Sequence, residues 1–342
     1  MSLSLHPADL SDRESRVIGA LLGVHAGDSL GATVEFSSHG QIARSYPNGL
    51  REIVGGGSFS WPAGHATDDT DMTRGVLLAY HDLQYRHLGD DVARLAGDYF
   101  LQWRHGKWPG RKPGSYPVDI GGATRDGLSK YKKTRDPDRA GAGPGRAGNG
   151  SLMRCVPTGL FQTDPLKLVE ESQRISKITH DDKKCTISCA AYNTVASKLV
   201  NGDSPTDAIA AGLQIAKTLE GTPGPVYQAI ELGRTLNVAT MAEKGSSREL
   251  RGGCSGYVLE SLSVAIAAVL DERSLEDVVV DVVRIGRDTD TNAAIAGGLL
   301  GARDGEAAIP MNWKTKLQFG HEFRTMALDI LREPVSDYHT PQ

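Results

Sequence analysis

Ser11-Asp12-Arg13-Glu14-Ser15-Arg16-Val17-Ile18-Gly19-Ala20-Leu21-Leu22-Gly23-Val24-His25 begins with a capping box, a serine followed three residues later by a glutamate. Behind it, Val17, Ile18, Leu21, Leu22 and His25 recur at helical spacing and share one face. Gly27-Asp28-Ser29-Leu30-Gly31 reads as a turn, so this helix is expected to stop near Gly27. The same rhythm marks helices over 72–85, 91–103, 166–178, 185–199, 205–219, 226–237, 257–270, 275–285 and 292–302. Strand-like alternation is scarce, and no βαβ spacing occurs. The expected fold class is all-α.

Composition narrows the function classes. The chain has 342 residues with 38 Lys+Arg against 42 Asp+Glu, a net charge of −4, so no basic excess exists to neutralise a phosphate backbone and nucleic-acid binding is not expected. The longest apolar runs, 261–270 and 293–302, fall well short of the roughly 20 residues that span a bilayer. Met1–Asp12 carries no signal-peptide pattern. Cys155, Cys185, Cys189 and Cys254 form no CxxC pair, and Cys185 and Cys189, four apart on a helical pattern, read as core thiols. A reduced, cytoplasmic protein is expected, with one domain over 1–342: a core of about 12–305, then a C-terminal helix and tail to 342. The 40 glycines exceed the about 7% of ordinary usage and gather in long loops, five of them in Gly141–Gly150.

Two acidic clusters echo each other: Thr67-Asp68-Asp69-Thr70-Asp71 before one helical pattern, and Asp288-Thr289-Asp290-Thr291 before another. Capping is one reading, because Asp and Thr satisfy the free N–H groups of a helix start. A cap needs one oxygen, however, and crowded carboxylates repel unless a cation lies among them. Hard divalent ions take such oxygen donors, and two clusters can converge on a two-metal site. An EF-hand is excluded, since Ala293 and Leu299 stand where its glycine and glutamate belong. No His/Cys spacing fits zinc.

Gly148-Asn149-Gly150-Ser151-Leu152-Met153-Arg154 is neither a Walker loop nor a dinucleotide fingerprint, although its N–H groups suit a diphosphate as well as a flexible linker. His180, after a helix, is a dipole partner or a base-stacking group. Asp28 and Glu35 read as surface acids, and Asp119 as an acid in a constrained turn between Pro117 and Gly121.

Taken together and in order, Gly27–Ala32 with Glu35, Thr67–Thr70, Asp119-Ile120-Gly121, Gly148–Arg154, Thr179-His180, Gly256–Glu260 and Asp288–Thr291 resemble the ADP-ribosylglycohydrolase family, over roughly 16–305. That family includes dinitrogenase reductase-activating glycohydrolases and arginine- and serine-specific ADP-ribosylhydrolases. The resemblance implies an orthogonal multi-helix bundle around two divalent ions, Mg²⁺ or Mn²⁺, with Thr67, Asp68, Asp69, Asp288, Asp290 and Thr291 as ligands. It further implies ADP-ribose contacts from Asp28, Gly121, Gly148, Asn149, Gly150, Ser151, Met153, His180 and Tyr257.

The implied reaction is metal-dependent hydrolysis of the bond joining ADP-ribose to a protein side chain, releasing ADP-ribose. Asp119 matches the acid of arginine-specific members and Glu35 that of serine-specific ones. Arginine is favoured because a carboxylate pairs naturally with a guanidinium leaving group. The segment 104–118 is longer than in compact relatives and is expected to rim the entrance. Serine- or other O-linked substrates remain an alternative. So do an HD-type phosphohydrolase using His65, His180-Asp181 and Asp288, and a catalytically inactive ADP-ribose-binding relative.

Overall fold

The computed structural model describes residues 10–85 and 91–332, so the expected tail beyond 332 and most of the Met1–Asp12 segment lie outside the described residues. The chain folds as α1 (Asp12–Gly31), α2 (His39–Ser45), α3 (Asp68–Tyr85), α4 (Val92–Arg104), α5 (Gly122–Thr134), α6 (Val156–Phe161), α7 (Pro165–Lys177) and α8 (Lys183–Val200). It continues with α9 (Pro205–Glu220), α10 (Pro225–Gly233), α11 (Val238–Lys244), α12 (Val258–Leu270), α13 (Leu275–Ile285), α14 (Thr289–Asp304), α15 (Met311–Lys314) and α16 (Gly320–Leu331). Among the described residues, extended pairing is confined to isolated bridges such as Ser38–Gly286 and Gly148–Tyr257. The all-α expectation holds.

Local chemistry starts many of these helices. The Ser11 hydroxyl accepts from Glu14 N at 3.2 Å while the Glu14 carboxylate accepts from Ser11 N at 2.7 Å, so the capping box is formed. Asp91, Asp164, Asp182, Ser204, Asn237 and Ser274 cap later helices with their side-chain oxygens. Asn237 therefore begins α11, and the helix expected over 226–237 ends at Gly233 instead. The basic helix α5 has no strong apolar pattern, because its buried face is only Thr124, Gly127, Leu128 and Tyr131.

The larger correction concerns α1, which runs through Gly27 to Gly31. Gly19, Gly23, Gly27 and Gly31 lie one turn apart and face α14. A Cβ on Gly23 would stand 2.1 Å from Gly297 O, one on Gly27 2.1 Å from Ala293 O, and one on Gly31 2.4 Å from Thr289 O. The reciprocal positions Gly297 and Gly301 meet Gly23 and Gly19 equally closely. Antiparallel α1 and α14 thus touch backbone to backbone over four turns. The glycines there permit close packing rather than a turn. α12 and α13 pack on the other faces of α14, and α3 and α16 pack on α1, enclosing an apolar core.

Candidate functional site

The α1–α14 contact sets Asp28, in the last turn of α1, opposite Asp290, in the first turn of α14. The start of α3 completes the cluster. Asp28 Oδ2 accepts from Thr67 N at 3.1 Å, from Thr70 N at 3.2 Å and from the Thr70 hydroxyl. Asp28 therefore caps α3 from another helix, and its second oxygen, Oδ1, has no hydrogen-bond partner. Neither Asp28 nor Glu35 is a surface acid: they are 0% and 8% exposed.

Asp28, Asp69 and Asp290 each bring a carboxylate oxygen within 4.8 Å of the others, as do Glu35, Asp119 and Asp290. Asp69 Oδ2 accepts from the Thr67 hydroxyl at 3.2 Å and the Thr291 hydroxyl at 3.4 Å, while Asp69 Oδ1 and Glu35 Oε2 are buried without a partner. Asp288 is not spent on capping α14; its carboxylate accepts from Asn149 Nδ2 at 2.8 Å, and that amide also donates to Ser261.

Among the described residues no lysine or arginine pairs with these carboxylates. At an effective dielectric near 20, two unit charges at this spacing repel by roughly 3 kcal/mol. The protein answers by holding on to protons. Burial pushes Asp28 up to about 6, and burial followed by the charges of Asp119, Asp288 and Asp28 pushes Glu35 up to about 8. Asp119 rises to about 6 through burial and then Asp288, while burial carries Asp68, Asp69 and Asp290 well above the usual carboxylate range. Unpartnered, buried, all-oxygen donors with hydroxyls between them fit hard divalent cations.

Above this cluster opens a cavity of about 400 Å³, lined by Glu35, Asp68, Asp119, Gly121, Gly148, Asn149, Gly150, Met153, His180, Asp288, Asp290 and Thr291. Gly150 has to be small, because a Cβ on it would lie 2.9 Å from the His180 ring, whereas one on Gly148 would meet that ring at an ordinary 3.5 Å. The loop is pinned from behind, with Asn149 N donating to Gly256 O at 3.0 Å and Gly143 N to Asp181 at 2.7 Å.

Fully buried Arg154 reaches Gly150 O at 2.8 Å and the Thr179 hydroxyl at 2.7 Å, and its guanidinium stacks 4.5 Å from the Phe100 ring centre. The Thr179 hydroxyl, which accepts from Arg154, also lies 2.8 Å from His180 Nδ1, and either atom of that pair can be the donor. His180 Nε2 faces the loop, 3.3 Å from where a Cβ on Gly150 would stand. Burial holds His180 down at about 3, so the ring stays neutral.

The family model for ADP-ribosylglycohydrolase matches residues 9–339. The chain belongs to the ADP-ribosylglycohydrolase family. It is similar to an ADP-ribosylarginine hydrolase Tri1 of Pseudomonas putida, 29% identical over 98% of this chain and 82% of that one. It is also similar to an ADP-ribosyl-dinitrogen reductase glycohydrolase of Rhodospirillum rubrum, 28% identical over 88% and 90%. A solved structure titled ADP-ribosylglycohydrolase-related protein complex superposes with a TM-score of 0.73 at 25% identity, covering 94% of this chain and 98% of that one.

In this ADP-ribosylglycohydrolase most of the residues expected at the site converge, with three placements worth separating. Asp69 and Asp28 are buried outside the cavity wall, and Thr67 lines the adjoining cavity instead. Ser151 is buried behind the loop and accepts from Ser176 at 2.9 Å. Tyr257 is paired with Gly148 through the backbone, but it lines a neighbouring groove instead of this cavity. Neither of the two carboxylate clusters includes a histidine, and Asp181 is tied to Gly143, so among the described residues the HD-type ligand set does not assemble. All four cysteines are free and buried, as expected.

A second cavity of about 320 Å³ adjoins the first, and Asp68 and Asp119 line both. Its wall includes Trp61, which stacks on His65 at 5.0 Å, together with Asp71, Trp103 and Tyr116. Asp71 accepts from the Trp103 indole at 2.9 Å and the Trp108 indole at 2.8 Å, anchoring the 104–118 segment; burial pushes it up to about 7. Exposed Phe36, at φ +67° beside Glu35, makes an edge contact with Phe59 and extends the aromatic row. The sequence names Asp71 in its first acidic cluster, His65 in the HD-type alternative and 104–118 as a rim, but it does not single out Phe36, Phe59 or the Trp108 indole, although Phe36 directly follows Glu35.

Proposed function

We propose that this chain hydrolyses the N-glycosidic bond of ADP-ribosyl-arginine in modified proteins, using two divalent ions, Mg²⁺ or Mn²⁺. The observation that carries the arginine reading is the position of Asp119. It stands between the loop cavity suited to ADP-ribose and a second cavity whose aromatic and carboxylate walls suit a guanidinium. Two cations also border that second cavity: the Arg111 guanidinium is occupied by Trp103 O at 2.7 Å and Ser115 O at 3.0 Å, and Lys112 is exposed to solvent.

Asp69, Asp290, Asp68 and Asp288 would hold the ions with the Thr67 and Thr291 hydroxyls, and the unpartnered oxygen of Asp28 adds that residue to the set. Such ions, when bound, supply Lewis-acid polarisation and a template for oxygen ligands. The protein does the rest. The Gly148–Gly150 backbone and the His180 ring receive the diphosphate. Asp119 accepts from the guanidinium and orients it. Glu35, in the wall of the same cavity, gives its proton to the departing nitrogen as the anomeric C–N bond breaks; water then supplies the hydroxyl of free ADP-ribose, and its remaining proton returns to the Glu35 carboxylate.

A release assay on arginine- and serine-linked ADP-ribosylated proteins, with and without EDTA, tests this. Metal-dependent release from arginine supports it. Release from serine alone reverses the linkage, and tight ADP-ribose binding without release from either substrate marks an inactive relative.

A further inference from the structure

The charge of this protein is segregated at the mouth of its site. Residues 104–135 hold nine of the 38 Lys+Arg and only two of the 42 Asp+Glu, in a chain whose net charge is −4. The segment comprises the long loop that walls the second cavity, followed by α5.

Folding gathers these cations rather than spreading them. Arg104 Nη1 donates to Arg125 O at 3.1 Å, joining the loop base to α5. Lys107, Arg104 and Lys132 surround the half-buried His105 ring closely enough to depress its proton affinity, after burial itself. Tyr116 and Val118, exposed at 66% and 67%, lie on the same loop beside Asp119. Lys107 and Lys132 themselves face solvent.

Arg135 pairs with Asp98 and Arg125 with Asp126, but among the described residues Lys107, Lys112, Lys132 and Lys133 form no ion pair, and like charge left unmatched in this way costs stability in a monomer. Around a cleft it steers an oppositely charged partner and raises its rate of encounter. The cavities admit a single modified side chain, so the surface around that side chain has to lie against this ridge.

We propose that the 104–135 ridge is a docking surface for acidic protein: the enzyme prefers ADP-ribosyl-arginine set among aspartates and glutamates. The proposal rests on the arginine reading above and adds partner selection to it. Acid inside the cavity receives the guanidinium, while base outside receives its surroundings. The exposed apolar side chains on the ridge, Tyr116 and Val118, suit a polypeptide better than a nucleic acid.

The test uses two peptides, each carrying one ADP-ribosyl-arginine, flanked on both sides by three aspartates or by three lysines, together with free ADP-ribosyl-arginine. At low salt the aspartate peptide should show kcat/KM at least about tenfold above the lysine peptide, and the gap should close at high salt. The double variant Lys107→Glu/Lys132→Glu should lose or invert that preference while hydrolysing free ADP-ribosyl-arginine within about twofold of wild type. The remote control Lys217→Glu/Lys244→Glu should keep it.

Equal rates on the two peptides at low salt, or a preference that survives the reversal, overturn the proposal. Failure to hydrolyse even free ADP-ribosyl-arginine overturns the arginine reading instead. The docking surface is then read by fluorescence anisotropy with the unmodified peptides, where the aspartate peptide should bind more tightly to wild type than to the double variant. A single-stranded oligonucleotide of equal length that binds more tightly than the aspartate peptide would reassign the surface to nucleic acid.

Discussion

Gly27→Ala tests the link between packing and site most directly. The added Cβ would stand 2.1 Å from Ala293 O and 2.4 Å from Ala293 C, where ordinary contact begins at 3.4 Å, so the helices have to part by more than 1 Å. The obstacle is backbone, which cannot swing aside as a side chain can. Overpacking of this kind costs about 1–3 kcal/mol or more, and the better helix propensity of alanine returns at most about 1. A net loss of about 2 kcal/mol in urea unfolding is expected. Asp28 is the next residue on α1, and Asp290 lies one turn before Ala293 on α14, so the displacement reaches the carboxylates themselves. A 1 Å misplacement can lower turnover about a hundredfold. Gly40→Ala in α2 is the control: its Cβ meets only Arg44 Nη1, at 3.6 Å, and stability should hold or rise. If Gly27→Ala unfolds within about 0.5 kcal/mol of wild type and keeps its response to Mn²⁺, the backbone contact does not set the spacing of the site.

Further expectations follow from the same geometry. Asp69→Asn should raise the melting temperature of EDTA-treated protein, by replacing a crowded, buried carboxyl that stays neutral only by holding a proton, and should abolish the rise produced by Mg²⁺ or Mn²⁺; calorimetry reads both. Glu35, near 8 in the folded chain and near 4.5 unfolded, makes the metal-free protein less stable as pH rises between those values, so the stabilisation produced by metal should grow from pH 5 to 8. His25 runs the other way. It is buried, accepts from Phe319 N at 3.2 Å and is held down at about 4, so its contribution of about 3 kcal/mol is present above pH 6.5 and lost on acidification toward 4. His25→Gln should flatten that part of the urea-stability profile. Thr179→Val should release the His180 tautomer, seen as a change in its imidazole ¹⁵N shifts, and weaken ADP-ribose binding, while Thr179→Ser should restore both.

Much of this molecule is written in local pattern. Apolar spacing marked most of the longer helices, and the cap residues marked many of their starts. The acidic clusters announced oxygen chemistry because residue type and crowding are properties of a short stretch. What local pattern could not show is which face meets which. Gly27 looks like a helix stop until α14 lies against it, and Asp28 looks like a surface acid until Thr67 and Thr70 donate to it across gaps of 39 and 42 residues. The basic helix α5 has too few apolar residues to register, and its meaning as a charged rim exists only where the loop before it folds beside the cavity. Helix periodicity and ligand chemistry are short-range and survive in the linear chain. Proximity of Asp28 to Asp290, burial of Glu35 and the division between acidic cavity and basic ridge are through-space quantities, created when missing Cβ atoms let two helices close to backbone contact.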